Sequence, residues 1–290
     1  MPSQRKPSEV DGTKYPPRIQ ALRELMVKAI PRVPNNRESL EYLKRLRTSD
    51  LILAYLSWRM RLVPAKPRQV KAWSGGLDIF RFLEIRQRLQ PLLSKVEAGE
   101  DLTQHLSDLV RTSGFTVPNG QDRKGWAFDD LVLARMGLHH FHVGEVSAAN
   151  PKGRSGQLVF AEVTETDFTI IAYLDHDVFN SASDSFRRFL GICNSYIQKD
   201  MVPGTAYMHN PVTVSGHPVV LVEYADACEM QMRRLDAELD TSAFIDKLYA
   251  DTGIDRPGKI KLKWHFEDLN FGLIEPKTGT FFCIYSYFTR

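Results

Sequence analysis

The spacing of apolar residues changes at Gly137. Before it they recur every three to four positions, and after it the pattern changes to that of strands, so helices are expected on one side and a sheet on the other. Ile19, Leu22, Leu25, Met26 and Ala29 mark a first helix, and Leu40, Leu43 and Leu46 a second, with Asn36 as its N-cap. A third runs from the cap Ser49 through Leu51 to Val63, stopped by Pro64 and Pro67; a fourth spans Leu77 to Val96 with Pro91 kinking or dividing it. Asp101 to Val110 reads as a fifth, closed by Gly114, and Asp129-Asp130 opens a short helix that ends at Gly137.

After that switch, Leu138 to Val143, Gln157 to Thr164 and Phe168 to Leu174 read as three strands, the last two joined by Glu165-Thr166-Asp167, and a meander is the simplest topology. Ser183 to Lys199 returns to helical spacing, with Phe186, Phe189, Leu190, Cys193 and Ile197 as the stripe that would cover one sheet face. Beyond Pro203 the expectations are a strand at Val219 to Tyr224, helices over Cys228 to Leu239 and Thr241 to Asp251, and a terminal pair of hairpin strands. There Lys259, Lys261, Lys263 and His265 alternate with Ile260, Leu262, Trp264 and Phe266, and Pro276 to Gly279 supplies turn residues. The class is α+β. The expected division is a flexible leader at 1–17, a helical domain at 18–114, a small antiparallel-sheet α+β domain at 115–203, and a carboxy-terminal α+β unit at 204–290.

Composition narrows the function classes. A chain of 290 residues, 43% hydrophobic and 25% charged, has ordinary globular content and more length than one comfortable core. Its longest apolar runs, such as Leu51 to Leu56, fall far short of the roughly 20 residues that cross a bilayer. The first ten residues carry charge with no apolar stretch behind it, so no secretory signal is read there and the expected location is cytoplasmic. Cys193, Cys228 and Cys283 are far apart and odd in number, which argues against a disulfide framework or a zinc site. With 38 basic against 35 acidic side chains, the net charge of +3 permits a polyanionic partner without demanding one.

The chemistry-bearing segment is Leu138-His-His-Phe-His-Val-Gly144. On a strand, His140 and His142 share one face, while His139, Phe141 and Val143 share the other. Imidazole, with an ordinary pKa near 6.5, both accepts and donates protons near neutrality, so two on one face can supply both halves of acid–base catalysis. His176, at the end of the third strand, is expected to return beside the first, and Arg154, in the loop Pro151 to Gly156, is placed to bind an anion at the same mouth.

The order of a histidine strand, an apolar strand, a short hairpin and a strand ending in His-x-x-Phe resembles the carboxy-terminal half of RelE-type bacterial toxins, especially the YafQ branch. The residues carrying it are His142-Val143-Gly144-Glu145, Leu158-Val159-Phe160 and Asp175-His176-Asp177-Val178-Phe179, all in the central segment. The resemblance implies a barnase/RelE-like central domain and an endoribonuclease acting on RNA, with the ribosome and an antitoxin protein as partners. It makes His142 and His176 the catalytic histidines and Phe179 the ring that seats a base. His140 joins them as a catalytic candidate, and Lys152 joins Arg154 and Phe179 in substrate binding. RNA cleavage of this kind uses a base on the ribose 2′-hydroxyl, a cation at the phosphorane and an acid at the departing oxygen, with no metal or cofactor.

Rival readings stay open. His-x-His on one face is a usable metal-ligand pair that Glu145, Asp175 or Asp177 could complete. Arg135 before His140 and His142 fits the loose Arg-x4-6-His pattern of HEPN ribonucleases, but that pattern belongs on a helix, and Gly137 opposes one. Arg59, Arg61, Lys66, Arg68 and Lys71 beside Trp58 and Trp73 would suit phosphate tracking, though a solvated helix end explains them better. A non-catalytic protein- or RNA-interaction module on a toxin-like fold is the reading from another class.

Overall fold

A computed structural model describes residues 15–76, 79–117, 128, 130–144, 156–250 and 252–287. The leader up to residue 14, Leu77, Asp129, Glu145 and the loop carrying Lys152 and Arg154 lie outside the described residues. In chain order the elements are α1 (Pro17–Ala29), β1 (Arg32–Val33), α2 (Arg37–Arg45), α3 (Thr48–Arg59), β2 (Gln69–Ala72), α4 (Ile79–Ala98), a 3-10 turn (Thr103–His105), α5 (Leu109–Thr112) and β3 (Phe115–Thr116). These are followed by α6 (Leu131–Met136), β4 (Leu138–His142), β5 (Gln157–Val163), β6 (Asp167–Asp175), a second 3-10 turn (His176–Phe179) and α7 (Asp184–Gln198). The last are α8 (Val219–Leu235), α9 (Ser242–Ala250), β7 (Lys263–Glu267), β8 (Asn270–Glu275) and β9 (Thr280–Tyr285).

The elements group into two compact units, each discontinuous in sequence. One comprises residues 1–60, 113–127 and 219–290, and the other 61–112 and 128–218. This grouping departs from the linear division at 114 and 203, because β2 lies inside the stretch that reads as helical and pairs in parallel with β6, Gln69 opposite Asp167 through Ala72 opposite Ile170. Four residues, mostly exposed, carry no alternation that periodicity could detect.

In the first unit, α3 is buried from Thr48 to Ser57, as its apolar residues on every side require. Its core neighbours include Met26 of α1, Leu221 and Cys228 of α8, and Phe266 and Phe271 of the antiparallel β7-β8-β9 sheet. Helix α3 begins at Thr48, one residue ahead of the expected cap, and the Ser49 amide donates to Glu229 Oε2 of α8 at 2.8 Å. It stops at Arg59 rather than Val63. Asn36 does cap α2, accepting from the Ser39 amide at 2.9 Å. The expected strand at Val219 to Tyr224 is instead the start of α8. Leu221, Tyr224, Ala225, Cys228 and Met232 are its buried residues, a three-to-four spacing that overrides the local Val-Val-Leu-Val run.

In the second unit the sheet order is β2-β6-β5-β4, and β4, β5 and β6 form the expected antiparallel meander. One face packs on Leu89, Leu92 and Val96 of α4 with Leu102, Leu106 and Val110; the other packs on Phe189, Cys193 and Tyr196 of α7 with Val178. The expected helix at Asp101 to Val110 is a 3-10 turn and the short α5. Helix α7 is capped by Ser183, whose hydroxyl accepts from the Phe186 amide at 2.9 Å, and Tyr196 donates to Glu162 Oε2 at 2.7 Å. The basic residues from Arg59 to Lys71 are divided between the units and largely paired. Arg59 meets Asp268, Lys66 meets Glu165, Lys71 meets Asp167, and the buried Arg68 donates to the carbonyls of Thr164, Pro64 and Lys66.

A tight turn near the end of this unit buries a histidine. Thr213 donates its amide to the His217 carbonyl at 2.8 Å, and the Ser215 hydroxyl lies 2.9 Å from His217 Nδ1. Burial pulls the His217 imidazole down to about 4. An unfolded histidine titrates near 6.5, so proton uptake favours the unfolded chain: the stabilisation is complete above pH 6.5 and is lost as pH falls toward 4. His217→Gln is therefore expected to flatten the acid limb of a urea-midpoint profile between those values, by at most about 1.4 kcal/mol per pH unit. Parallel wild-type and variant profiles would refute this.

Candidate active site

Strand β4 starts directly after Gly137, which ends α6 with φ of 71°, a left-handed conformation suited to glycine. Its register is Leu138 opposite Glu162, His140 opposite Phe160 and His142 opposite Leu158, and β5 continues the row with Phe160 opposite Ala172 and Leu158 opposite Leu174. His140 and His142 thus lie on the face covered by α7, while Phe141 enters the core under α4. His139 is half-buried on that second side, its ring stacked 6.2 Å from Phe141.

The meander ends above His142. The His176 amide donates to the Gly156 carbonyl at 2.9 Å, the Asp177 amide to Asp175 Oδ1 at 3.1 Å, and the Ser183 hydroxyl to the Asp177 carbonyl at 2.7 Å. These bonds wind the chain after β6 into its 3-10 turn, with Val178 pointing into the core. The outcome is a closed circuit of rings. His140 to His142 is 6.1 Å between centroids, His142 to His176 5.6 Å, His176 to Phe179 5.3 Å, and Phe179 back to His140 5.4 Å. Phe160 lies 6.1 Å from His140 and 6.3 Å from Phe179. His142 is the deepest of the four at 8% exposure, whereas His176 and Phe179 are exposed.

Two residues that the sequence did not assign to the site contact the histidine strand. Asp130, the N-cap of α6, accepts from the Leu133 amide at 3.0 Å through Oδ1, and its Oδ2 lies 3.4 Å from His140 Nδ1. On the reverse face, His105 Nδ1 is 3.1 Å from the His142 carbonyl, and Gln104 Nε2 is 3.0 Å from His105 Nε2. An amide nitrogen only donates, so His105 Nε2 accepts and Nδ1 carries the hydrogen that bonds the His142 carbonyl. Burial lowers the His105 imidazole below its ordinary value, which keeps it neutral in that role. Neither residue has a diagnostic spacing from the histidine strand; only the fold brings them there.

Among the described residues, no group of three or more His, Cys, Asp and Glu is placed to hold a metal ion. A cavity of about 140 Å³, lined by Val70, Phe82, Arg86 and Leu93 among others, lies between β2 and α4 on the far side of the sheet from the histidine rings. No helix among the described residues is long and apolar enough to cross a membrane. The chain matches no family model, no curated protein and no solved structure.

His105→Ala would remove a buried hydrogen bond to the His142 carbonyl. It is expected to cost about 1–3 kcal/mol in a urea titration. A cost no larger than that of Gln104→Ala would show that the His142 carbonyl finds another donor.

Proposed function

We propose that the protein is a metal-independent endoribonuclease that cleaves RNA by histidine acid–base catalysis, acting as a bacterial toxin or phage-defence effector of the RelE/YafQ kind. The observation that carries this reading is the closed circuit of His140, His142, His176 and Phe179, which gathers three proton-transfer groups and one exposed ring at the end of a meander. In the reaction a neutral imidazole removes the ribose 2′-hydroxyl proton, the oxygen attacks the adjacent phosphorus, and the P–O bond to the next nucleotide breaks. A protonated imidazole gives its proton to the departing 5′ oxygen, leaving a 2′,3′-cyclic phosphate and a 5′-hydroxyl. Phe179, 46% exposed, offers a face on which a base can stack. Arg154 and Lys152 are the proposed phosphate ligands, resting on their residue type and sequence position alone. The ribosome and an antitoxin are the partners this reading entails.

A second reading, a non-catalytic RNA- or protein-binding face, has one observation on its side, the burial of His142. RNA incubated with the protein in EDTA is expected to be cut, with His142→Ala or His176→Ala lowering the rate by about 10²–10⁴-fold. Intact RNA under every condition, ribosomes included, would overturn the ribonuclease reading. RNA binding that survives alanine at all three histidines, with no turnover, would select the second.

A further inference from the structure

The ring circuit does not say which histidine is the base. The contact between Asp130 and His140 separates His140 from the other two. Asp130 presents both carboxylate oxygens to fixed partners, Oδ1 to the Leu133 amide at 3.0 Å and Oδ2 to His140 Nδ1 at 3.4 Å. The two side chains are only 16% and 15% exposed, so water competes poorly for the contact. The geometry follows from the chain path: α6 is short, Gly137 turns it sharply, and β4 runs back so that its third residue stands beside the helix cap.

A carboxylate has only acceptor positions, so an imidazole nitrogen 3.4 Å from it is favoured to carry the hydrogen rather than a lone pair, although the contact falls short of hydrogen-bond geometry. A neutral imidazole has one N–H. With that hydrogen on Nδ1, the lone pair is on Nε2, on the side of the ring away from Asp130. We propose that Asp130 is a positioning residue that fixes His140 as the Nδ1–H tautomer, and that His140 Nε2 is the general base. The role rests on the ribonuclease reading above; the tautomer does not. When Nε2 takes the 2′-hydroxyl proton, the ring becomes an imidazolium whose new charge faces the Asp130 carboxylate, and the 3.4 Å contact tightens to a full hydrogen bond. The acid role then falls to the His142–His176 pair, with rings 5.6 Å apart. The proton His140 gains and the one this pair gives up are exchanged with solvent between turnovers.

Asp130→Asn tests the tautomer without removing the cap. Asparagine has one acceptor oxygen, and the Leu133 amide claims it, because an NH₂ group cannot accept from an N–H. The NH₂ then occupies the place of Oδ2 and donates to Nδ1, forcing the hydrogen onto Nε2. Asp130→Ser keeps a capping oxygen and removes the imidazole contact altogether. Long-range ¹H–¹⁵N spectra of the full chain, with His140 assigned by its loss in His140→Gln, are expected to show Nδ1–H in the wild type and Nε2–H in Asp130→Asn. The two proteins should share one denaturation midpoint. In the same samples kcat for RNA should fall by a hundredfold or more in Asp130→Asn with KM nearly unchanged, and Asp130→Ser should lie between. An Nε2–H wild-type ring, or an unchanged ring in Asp130→Asn, overturns the tautomer assignment. A swapped tautomer with undiminished kcat overturns the base role. Absence of cleavage by the wild type removes the base role together with the ribonuclease reading, while the spectra still decide what Asp130 does to His140.

Discussion

Strand β5 has no wet side at its centre. Leu158, Val159, Phe160 and Ala161 are each fully buried, alternating between the α7 face and the α4 face. A strand clamped between two apolar layers has one register, since a slip of a single residue would turn every side chain to the opposite layer. Neighbours on both edges inherit that register. His140 is held opposite Phe160 and His142 opposite Leu158, and β6 is carried far enough for His176 to emerge over them. The bulge at Phe160/Ala161 adjusts β6 without disturbing the row beneath the histidines.

The site is therefore a polar feature supported by apolar ones. Phe160 packs 4.4 Å from Phe189, under the rings of His140 and Phe179, and the histidines rest on aromatic surface rather than on other charges. Two polar groups reach them from outside the row. Asp130 approaches from the helix cap on the same face, and His105 approaches from behind, through the backbone of His142. An imidazole held this way retains little rotational freedom, which is what proton transfer along a fixed line asks of its donors and acceptors.

The meander was legible because β5 and β6 are short apolar runs joined by a tight polar turn, and the return of His176 follows once β4, β5 and β6 are antiparallel neighbours. Helix α7 was legible as well, although Tyr196 takes a core place that the sequence stripe had given to Ile197. What escaped has physical reasons. Strand β2 is too short and too exposed to show a period, and α8 opens on residues that favour strands until its buried three-to-four row is seen in place. Asp130 read only as a helix start, because a capping carboxylate with a second partner looks in sequence like any other cap. The basic cluster around Arg68 read better as a solvated helix end than as a surface for phosphates, and much of its charge is taken up by carboxylates and by the carbonyls of Thr164, Pro64 and Lys66.

The discontinuity of the two units sets an order of events during translation. The unit with the histidines has all of its sequence once Pro218 has been made, whereas α3 of the other unit must wait for α8 and the β7-β8-β9 sheet. At about 5–20 residues per second, a helix carrying Leu51, Ile52, Leu53 and Leu56 spends on the order of ten seconds in a nascent chain before α8 has been synthesised. The histidine-bearing unit can form first, while α3 has α1 but neither α8 nor the sheet to pack against until they emerge.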